Sequence, residues 1–247
     1  MSIASRIESI ETHLEDAYDT IEAKGVNLHL LPPEYKQVNY ILSSGTQYID
    51  TGYLVKGDLK IVTDIEYVSS PSGNQAIFGG RNSYNSKNHA LYLVSSTKFK
   101  NDYNNLASNA LPNISNLLTK WHIVKDKGNL TITSSDNQSI TNTIANATFT
   151  SNYNMWIFTC NNAGNPLNPA SYRLYTFKIY DNDVLVRDFI PCYRNSDNEV
   201  GLYDLVNNVF YTNQGTGTFT YGEVKEDYIF SKNISNLSRA INLIPTD

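Results

Sequence analysis

SYRLYTFKIYDNDVLVRDFIPCYR, residues 171–194, decides the class of fold. It reads as two strands around an Asp181-Asn182-Asp183 turn, because aromatic and β-branched residues flank three that favour turns. GLYDLVNNVFYTNQGTGTFTYG (201–222) repeats the plan, with a hairpin at Asn207-Asn208 and a Gly-rich end. WHIVKDKGNLTITSSD (121–136) is another hairpin, with Asp126-Lys127-Gly128-Asn129 as its loop. KIVTDIEYV (60–68) alternates: Ile61, Thr63, Ile65 and Tyr67 share one face, Val62, Asp64, Glu66 and Val68 the other. AIFGGR (76–81) and ALYLVSS (90–96) are short strands, and the paired glycines of the first predict a bulge or a close approach. YNMWIFTCN (153–161) reads as an apolar central strand, with Trp156 and Trp121 in the core. Residues 101–120 read as irregular, and Asn161 to Ser171 as a long polar loop. Short strands separated by regular turn signals indicate an antiparallel sandwich or barrel, and no alternation with long helices supports a parallel α/β fold.

Composition narrows the function. The chain has 247 residues, 40% of them hydrophobic, enough for a substantial core, and only 17% charged. Asn, Ser, Thr and 18 Tyr fill the polar positions, a mixture that suits carbohydrate contact as well as plain strand propensity. The net charge of −5 and the absence of any Lys/Arg run exclude a phosphate footprint, so no nucleic acid is expected. No stretch approaches 18 apolar residues, so no membrane span is expected, and the N-terminus lacks the basic-then-apolar pattern of a signal peptide. Cys160 and Cys192 read as buried free thiols, and the scattered His13, His29, His89 and His122 predict no metal site. No cofactor is expected. The sequons at Asn113, Asn137, Asn146, Asn233 and Asn236 carry no weight without a secretory route.

The ends differ from the middle. Ile3, Ile7, Ile10, Leu14, Ala17 and Ile21 follow one another at steps of four and three, the period of a coiled-coil seam, with acidic residues between them. Two arrangements fit this stripe: self-association, with Ile at both seam positions favouring a trimer, or an amphipathic helix packed on a β domain. Gly25 is placed to end the helix, and Pro32 and Pro33 mark a linker. The expected organisation is an anchor helix at 1–25, a linker at 26–37, a β-sandwich at 38–222 and an arm at 223–247.

SSGTQYIDTGY (43–53), FGGRN (78–82) and KIYDNDVLVRDFIPCYRNSDNEVGLYDLVNNVFYTNQGTGTFTYG (178–222) together resemble a concanavalin A-like, LamG-type jelly-roll module found in bacteriophage and prophage virion proteins. The N-terminal segment resembles the short helical anchors of phage tail, baseplate and fibre proteins. The resemblance implies an all-β antiparallel jelly-roll sandwich behind a coiled-coil helix. It also implies a virion protein made in the host cytoplasm, which associates with itself and with other virion proteins and displays a lectin-like head for a cell-surface glycan. A purely architectural decoration protein is the alternative. Glucanases of this fold carry E-x-D-x-x-E, whereas TDIEY offers Asp64 and Glu66 without a third carboxylate, so no catalysis is expected. Sugars stack on aromatic rings while amides take their hydroxyls. The candidate glycan residues are therefore Arg81, Asn82, Tyr84 and Asn85 in one loop region and Asn161, Asn162, Asn165 and Tyr172 in another.

Overall fold

The computed structural model describes residues 31–225, apart from Ser96, Ser108 and Asn109, together with the helical residues Arg6, Ser9, Thr12 and His13. The seam residues Ile3, Ile7, Ile10, Leu14, Ala17 and Ile21, and the arm beyond residue 225, lie outside the described residues. The chain separates into two compact units, Met1–Pro32 and Pro33–Asp247.

The second unit is all-β among its described residues. In chain order its strands are β1 (Tyr35–Gln37), β2 (Ile41–Leu42), β3 (Ile49–Lys56), β4 (Leu59–Glu66), β5 (Gln75–Arg81), β6 (Asn88–Val94) and β7 (Lys98–Asn104). There follow β8 (Leu106–Ala107), β9 (Lys120–Asp126), β10 (Asn129–Ser134), β11 (Ser139–Thr143), β12 (Thr150–Ile157), β13 (Cys160–Asn162) and β14 (Asn165–Leu167). The last five are β15 (Arg173–Asp181), β16 (Val184–Arg194), β17 (Val200–Asp204), β18 (Val209–Thr212) and β19 (Thr220–Tyr221). One sheet runs β11-β10-β9-β4-β15-β16-β17-β18, with β1 on β16 and β2 between β15 and β19. The other runs β14-β13-β5-β6-β7-β8, with β12 joining β5 to β3. The sheets are antiparallel except that β13 runs parallel to β5. This is a β-sandwich consistent with a jelly roll.

The alternation of 60–68 explains the packing. Leu59, Ile61, Ile65 and Tyr67 enter a single core with Trp121 and Ile123 of β9 and Phe177 and Ile179 of β15. From the other sheet come Phe78, Leu91, Leu93, Phe99, Met155 and Ile157. The register shift between Ala76 and Phe78 is the bulge that the glycine pair predicts, and Gly79 is the close approach: a Cβ there would lie 2.3 Å from that of Ala90. The tight turns at Lys127-Gly128, Asn182-Asp183 and Asn207-Asn208 fall where the sequence places them, with positive φ at Lys127, Asn182, Asp183 and Asn208.

The two motifs at either end of the sandwich hold each other. Gln47 Nε2 donates to the Thr218 carbonyl (3.1 Å), Thr46 Oγ1 to the Thr216 carbonyl (2.9 Å), and the Tyr48 amide to Asn213 Oδ1 (3.1 Å). Gly215 is required here, since a Cβ would meet the Thr46 carbonyl oxygen at 2.1 Å. Three expectations change. Residues 101–120 are not wholly irregular, because β7 continues to Asn104 on the edge of β6. The Asn161–Ser171 segment is not a plain loop: Cys160–Asn162 and Asn165–Leu167 form a hairpin around Ala163-Gly164, whose φ values are 51° and 89°. Tyr35–Gln37, read as linker, pairs with Cys192–Arg194.

Candidate functional site

Strand β6 is buried on both faces. Leu91 and Leu93 enter the main core, while Ala90 and Tyr92 point the other way into a small second cluster with Ala76 and Cys160. That outward face of the eight-stranded sheet can be laid out from its register. Gly79 stands opposite Ala90, and Ala90 opposite Asp102; Tyr92 stands opposite Lys100, and Asn88 opposite Asn104. On the other side of β5, Cys160 is registered to Gly79 and Asn162 to Arg81. The centre of this patch therefore carries Gly79 and Ala90, which have almost no side chain, and its surround is polar.

The surround is poorly satisfied. Asn88 Oδ1, Tyr92 Oη and Asp102 Oδ1 are buried without a hydrogen-bond partner. Buried polar atoms are rarely left so. Asn88 Nδ2 is used, donating to the Tyr84 carbonyl (2.7 Å). The Tyr92 hydroxyl has only the Cys160 thiol, a weak partner, beside it, and burial raises its pKa above the ordinary tyrosine value. Asp102 Oδ1 lies 3.2 Å from Lys100 Nζ without accepting a hydrogen bond from it. Burial raises the Asp102 carboxyl, and Lys100 and Arg81 pull it back. Burial likewise pushes the Cys160 thiol up to about 11, so it is not a nucleophile at neutral pH.

Arg81 closes one side. Only 6% of the residue is exposed, its Nε donates to Asn162 Oδ1 (2.8 Å), and its terminal nitrogens have no protein partner among the described residues. Above it lies Tyr84, 57% exposed, whose ring centroid is 5.3 Å from the Arg81 guanidinium and 5.6 Å from Lys100 Nζ. Trp156, registered to Gly79 from β12, belongs to neither cluster: it is 7% exposed, stacks on Tyr48 at 4.4 Å, and its Nε1 is buried without a partner. It is buried as the sequence suggests, but on this outer face rather than in the main core.

The two loop regions named from the sequence thus meet at one sheet end, because β13 runs alongside Gly79–Arg81. Not all their residues are free. Asn82 Oδ1 accepts from Ser151 Oγ (2.6 Å) and the Asn152 amide (2.9 Å), and Asn85 is exposed. Asn161 is 3% exposed and holds its own hairpin, donating to the Asn154 carbonyl and accepting from the Gly164 amide. Asn165 is exposed on the hairpin tip. Tyr172 requires correction: it has no exposed surface, stacks on Phe158 at 4.6 Å, and donates to the Ile77 carbonyl (2.7 Å). It is a core residue, because the strand that follows turns it inward. The sequence reading misses Asn88, Tyr92, Lys100 and Asp102. The alternation of ALYLV, with Ala90 and Tyr92 on one face, is the signal that could have found them.

Two other places hold polar groups already paired. Asp64 binds His122 Nδ1 (2.8 Å) and accepts from Thr176 Oγ1 (3.2 Å), while Glu66 accepts from Arg173 (3.2 Å) and the Tyr175 hydroxyl. They belong to the charge-laced outer face of the larger sheet. A depression of about 480 Å³ is lined by Pro33, Glu34, Tyr35, Arg194, Asn195 and Ser196. There Arg194 is paired with Asp197 (2.6 Å) and Asn195 donates to the Pro33 carbonyl (2.8 Å).

No protein-family model matches the chain, and no curated protein matches its sequence. Its fold is similar to that of a proposed carbohydrate binding protein from Bacteroides ovatus, 11% identical with a TM-score of 0.50 over 76% of this chain and 61% of that one. The chain spans about three fifths of that protein's length. More distant are the CBM40 module of the Ruminococcus gnavus IT-sialidase bound to α2,3-sialyllactose (15% identity, TM-score 0.43, 61% of this chain and 92% of that one) and domains LG4-5 of the mouse laminin α1 chain (12% identity, TM-score 0.45, 77% and 47%). The likeness is one of fold, a β-sandwich of two largely antiparallel sheets.

Proposed function

We propose that the protein is a non-catalytic carbohydrate-binding module carried on a phage particle. The observation that supports binding is the outward patch around Gly79 and Ala90, where Asn88, Tyr92 and Asp102 hold buried polar atoms without partners beneath the exposed ring of Tyr84. A sugar has the complementary chemistry: hydroxyls for the unpaired atoms and an apolar ring face for the tyrosine. Residues 3–24 would anchor the head to the particle as a homotrimer beside other virion proteins, and several weak heads would then gain avidity on a cell surface. The phage context rests on the resemblance of the segments 43–53, 78–82 and 178–222.

Glycan-array binding by the full chain tests the reading. Binding is expected, and Tyr84→Ala is expected to weaken it about tenfold, the size of one lost stacking contact, while leaving the melting temperature within a degree or two. Binding to no glycan would favour the architectural alternative, and full binding by Tyr84→Ala would put the sugar site away from this patch.

A further inference from the structure

We infer that the ligand at this patch is an acidic glycan whose carboxylate is taken by the Arg81 guanidinium. The inference rests on the carbohydrate-binding reading and adds a charge to it. Arg81 is the unusual group. A nearly buried arginine ordinarily spends its five donors on protein acceptors, because an unpaired buried charge is costly. Here one donor goes to Asn162 Oδ1, and the terminal nitrogens, which are not sealed from solvent, bond to no protein atom among the described residues. That planar fork matches a carboxylate, which it binds with two parallel, charge-assisted hydrogen bonds.

The surroundings favour an anion at that point and not elsewhere. Lys100 stands on the same face, within reach of the same tyrosine ring, so two cations meet the single carboxylate of Asp102. The local balance is positive in a chain whose net charge is −5. Asp102 Oδ2 accepts from Lys100 Nζ (3.4 Å) and Asp102 does not bond to Arg81, so the guanidinium keeps its capacity for an incoming anion. The unpaired atoms lie near Arg81 in register: Asn88 precedes His89, the residue opposite Gly80, and Asp102 stands on β7 opposite Ala90, which itself faces Gly79. Asn88 Oδ1 is an acceptor only, and Asp102 Oδ1 is another atom without a hydrogen-bond partner; hydroxyls suit them better than a second anion does. A sugar acid supplies both, a carboxylate for the fork and hydroxyls for the acceptors. A simple inorganic anion would leave the acceptors unpaired.

The experiment measures binding of the full chain to three pairs of probes: oligogalacturonate and its methyl ester, sialyllactose and its carboxyl-reduced form, and a glucuronate-terminated oligosaccharide and its carboxyl-reduced form. At least one acid is expected to bind about tenfold or more tightly than its neutral counterpart, the size of one charge-assisted interaction. Arg81→Gln is expected to abolish that preference. Arg81→Lys, which keeps the charge and loses the fork, is expected to restore only a small part of it. Melting curves check the variants, and if Arg81→Gln unfolds, the ratio within each pair for the unaltered chain and for Arg81→Lys still decides. Equal binding of acid and neutral forms, or a preference that survives Arg81→Gln, overturns the acidic assignment and leaves carbohydrate binding standing. Binding to none of these acids by a chain that binds neutral glycans on the array overturns the assignment alone. Binding to no glycan of any kind overturns both.

Discussion

At the scale of single residues, a buried lysine makes stability depend on pH around neutrality. Lys125 projects from β9 between the sheets, has no exposed surface, and donates its ammonium hydrogens to Asn101 Oδ1. Nearby stand the Tyr103 ring, 5.4 Å from Nζ, and the buried His89, while the Asp102 carboxylate attracts from the far side of the other sheet. Burial lowers the lysine to about 7, against 10.5 in an exposed chain. Above pH 7 the unfolded chain holds this proton and the folded chain sheds it, so stability rises with pH. Burial also lowers His89 well below its ordinary value, so it stays neutral in the fold and adds a loss of the same sign as pH falls through 6.5. The window closes near 8.5, because Cys160 and Cys192, raised to about 11 and about 12, reverse the sign above the ordinary thiol value. Between pH 7 and 8.5 the unfolding free energy is expected to rise by about 2 kcal/mol. Lys125→Met should be more stable than the unaltered chain at pH 7 and should flatten that rise. Urea melts across the window check this; an equal slope in both chains would show that Lys125 is not the group responsible.

At the scale of elements, the latch between the two ends of the sandwich is the contact most open to test. Gln47 is 2% exposed and spends its whole amide there: Oε1 accepts from Ser43, Ser44 and the Ser44 amide, and Nε2 donates to Ser44 Oγ and the Thr218 carbonyl. Gln47→Ala removes the shared acceptor of Ser43 and Ser44 and the donor to the Thr218 carbonyl, and is expected to cost about 1–3 kcal/mol. Gln214→Ala, an exposed glutamine in the facing segment, is expected to cost less than about 0.5 kcal/mol. Chemical denaturation of the two variants separates a buried latch from a solvated turn. The elements also show what could be read beforehand. The alternation of 60–68 and the turns at Asn182-Asp183 and Asn207-Asn208 were legible because period-two burial and left-handed turn residues are local signals. The Cys160–Leu167 hairpin was not, because Asn, Pro and Gly are loop formers, and only its pairing along Gly79–Arg81 makes a strand of it. Tyr172 was misread for the same reason. It borders a polar loop in the sequence, but its exposure is set by the strand that follows and by Phe158, fourteen residues earlier in the chain. Arg81 and Tyr84 of the candidate site were legible, because they stand at the end of β5 and in the turn that follows it; the rest sits on strand faces whose outward side looks like core.

At the scale of the whole molecule, the register decides where the independently folding part begins. The sequence boundary at residues 38–222 cuts through two pairings. Tyr35–Gln37 pairs with Cys192–Arg194, and the Tyr35 ring lies 5.0 Å from Tyr203 and 4.9 Å from Phe210. At the other end Val38 bridges Val224, and the Lys225 amide donates to the Gln37 carbonyl (2.8 Å). The strands near both ends of the sandwich are thus woven into its middle: β1 lies on β16, and β2 separates β15 from β19. A chain of residues 33–225 keeps every one of these bonds, and the compact unit that starts at Pro33 contains them all. It is expected to stay soluble, to give a β-type circular dichroism spectrum and to unfold in one cooperative transition. A chain of residues 38–222 loses the β1 ladder, the Tyr35 ring contacts and the bridge to Val224. Burial of one tyrosine and its ring pairs is worth about 2–3 kcal/mol, so this shorter chain is expected to melt about 4–12 °C lower in a domain of this size. Urea and thermal melts of the two chains side by side decide the matter. Equal midpoints would mean that β1 adds nothing and that the head begins at Val38, whereas aggregation of the longer chain would mean that the sandwich depends on residues outside 33–225.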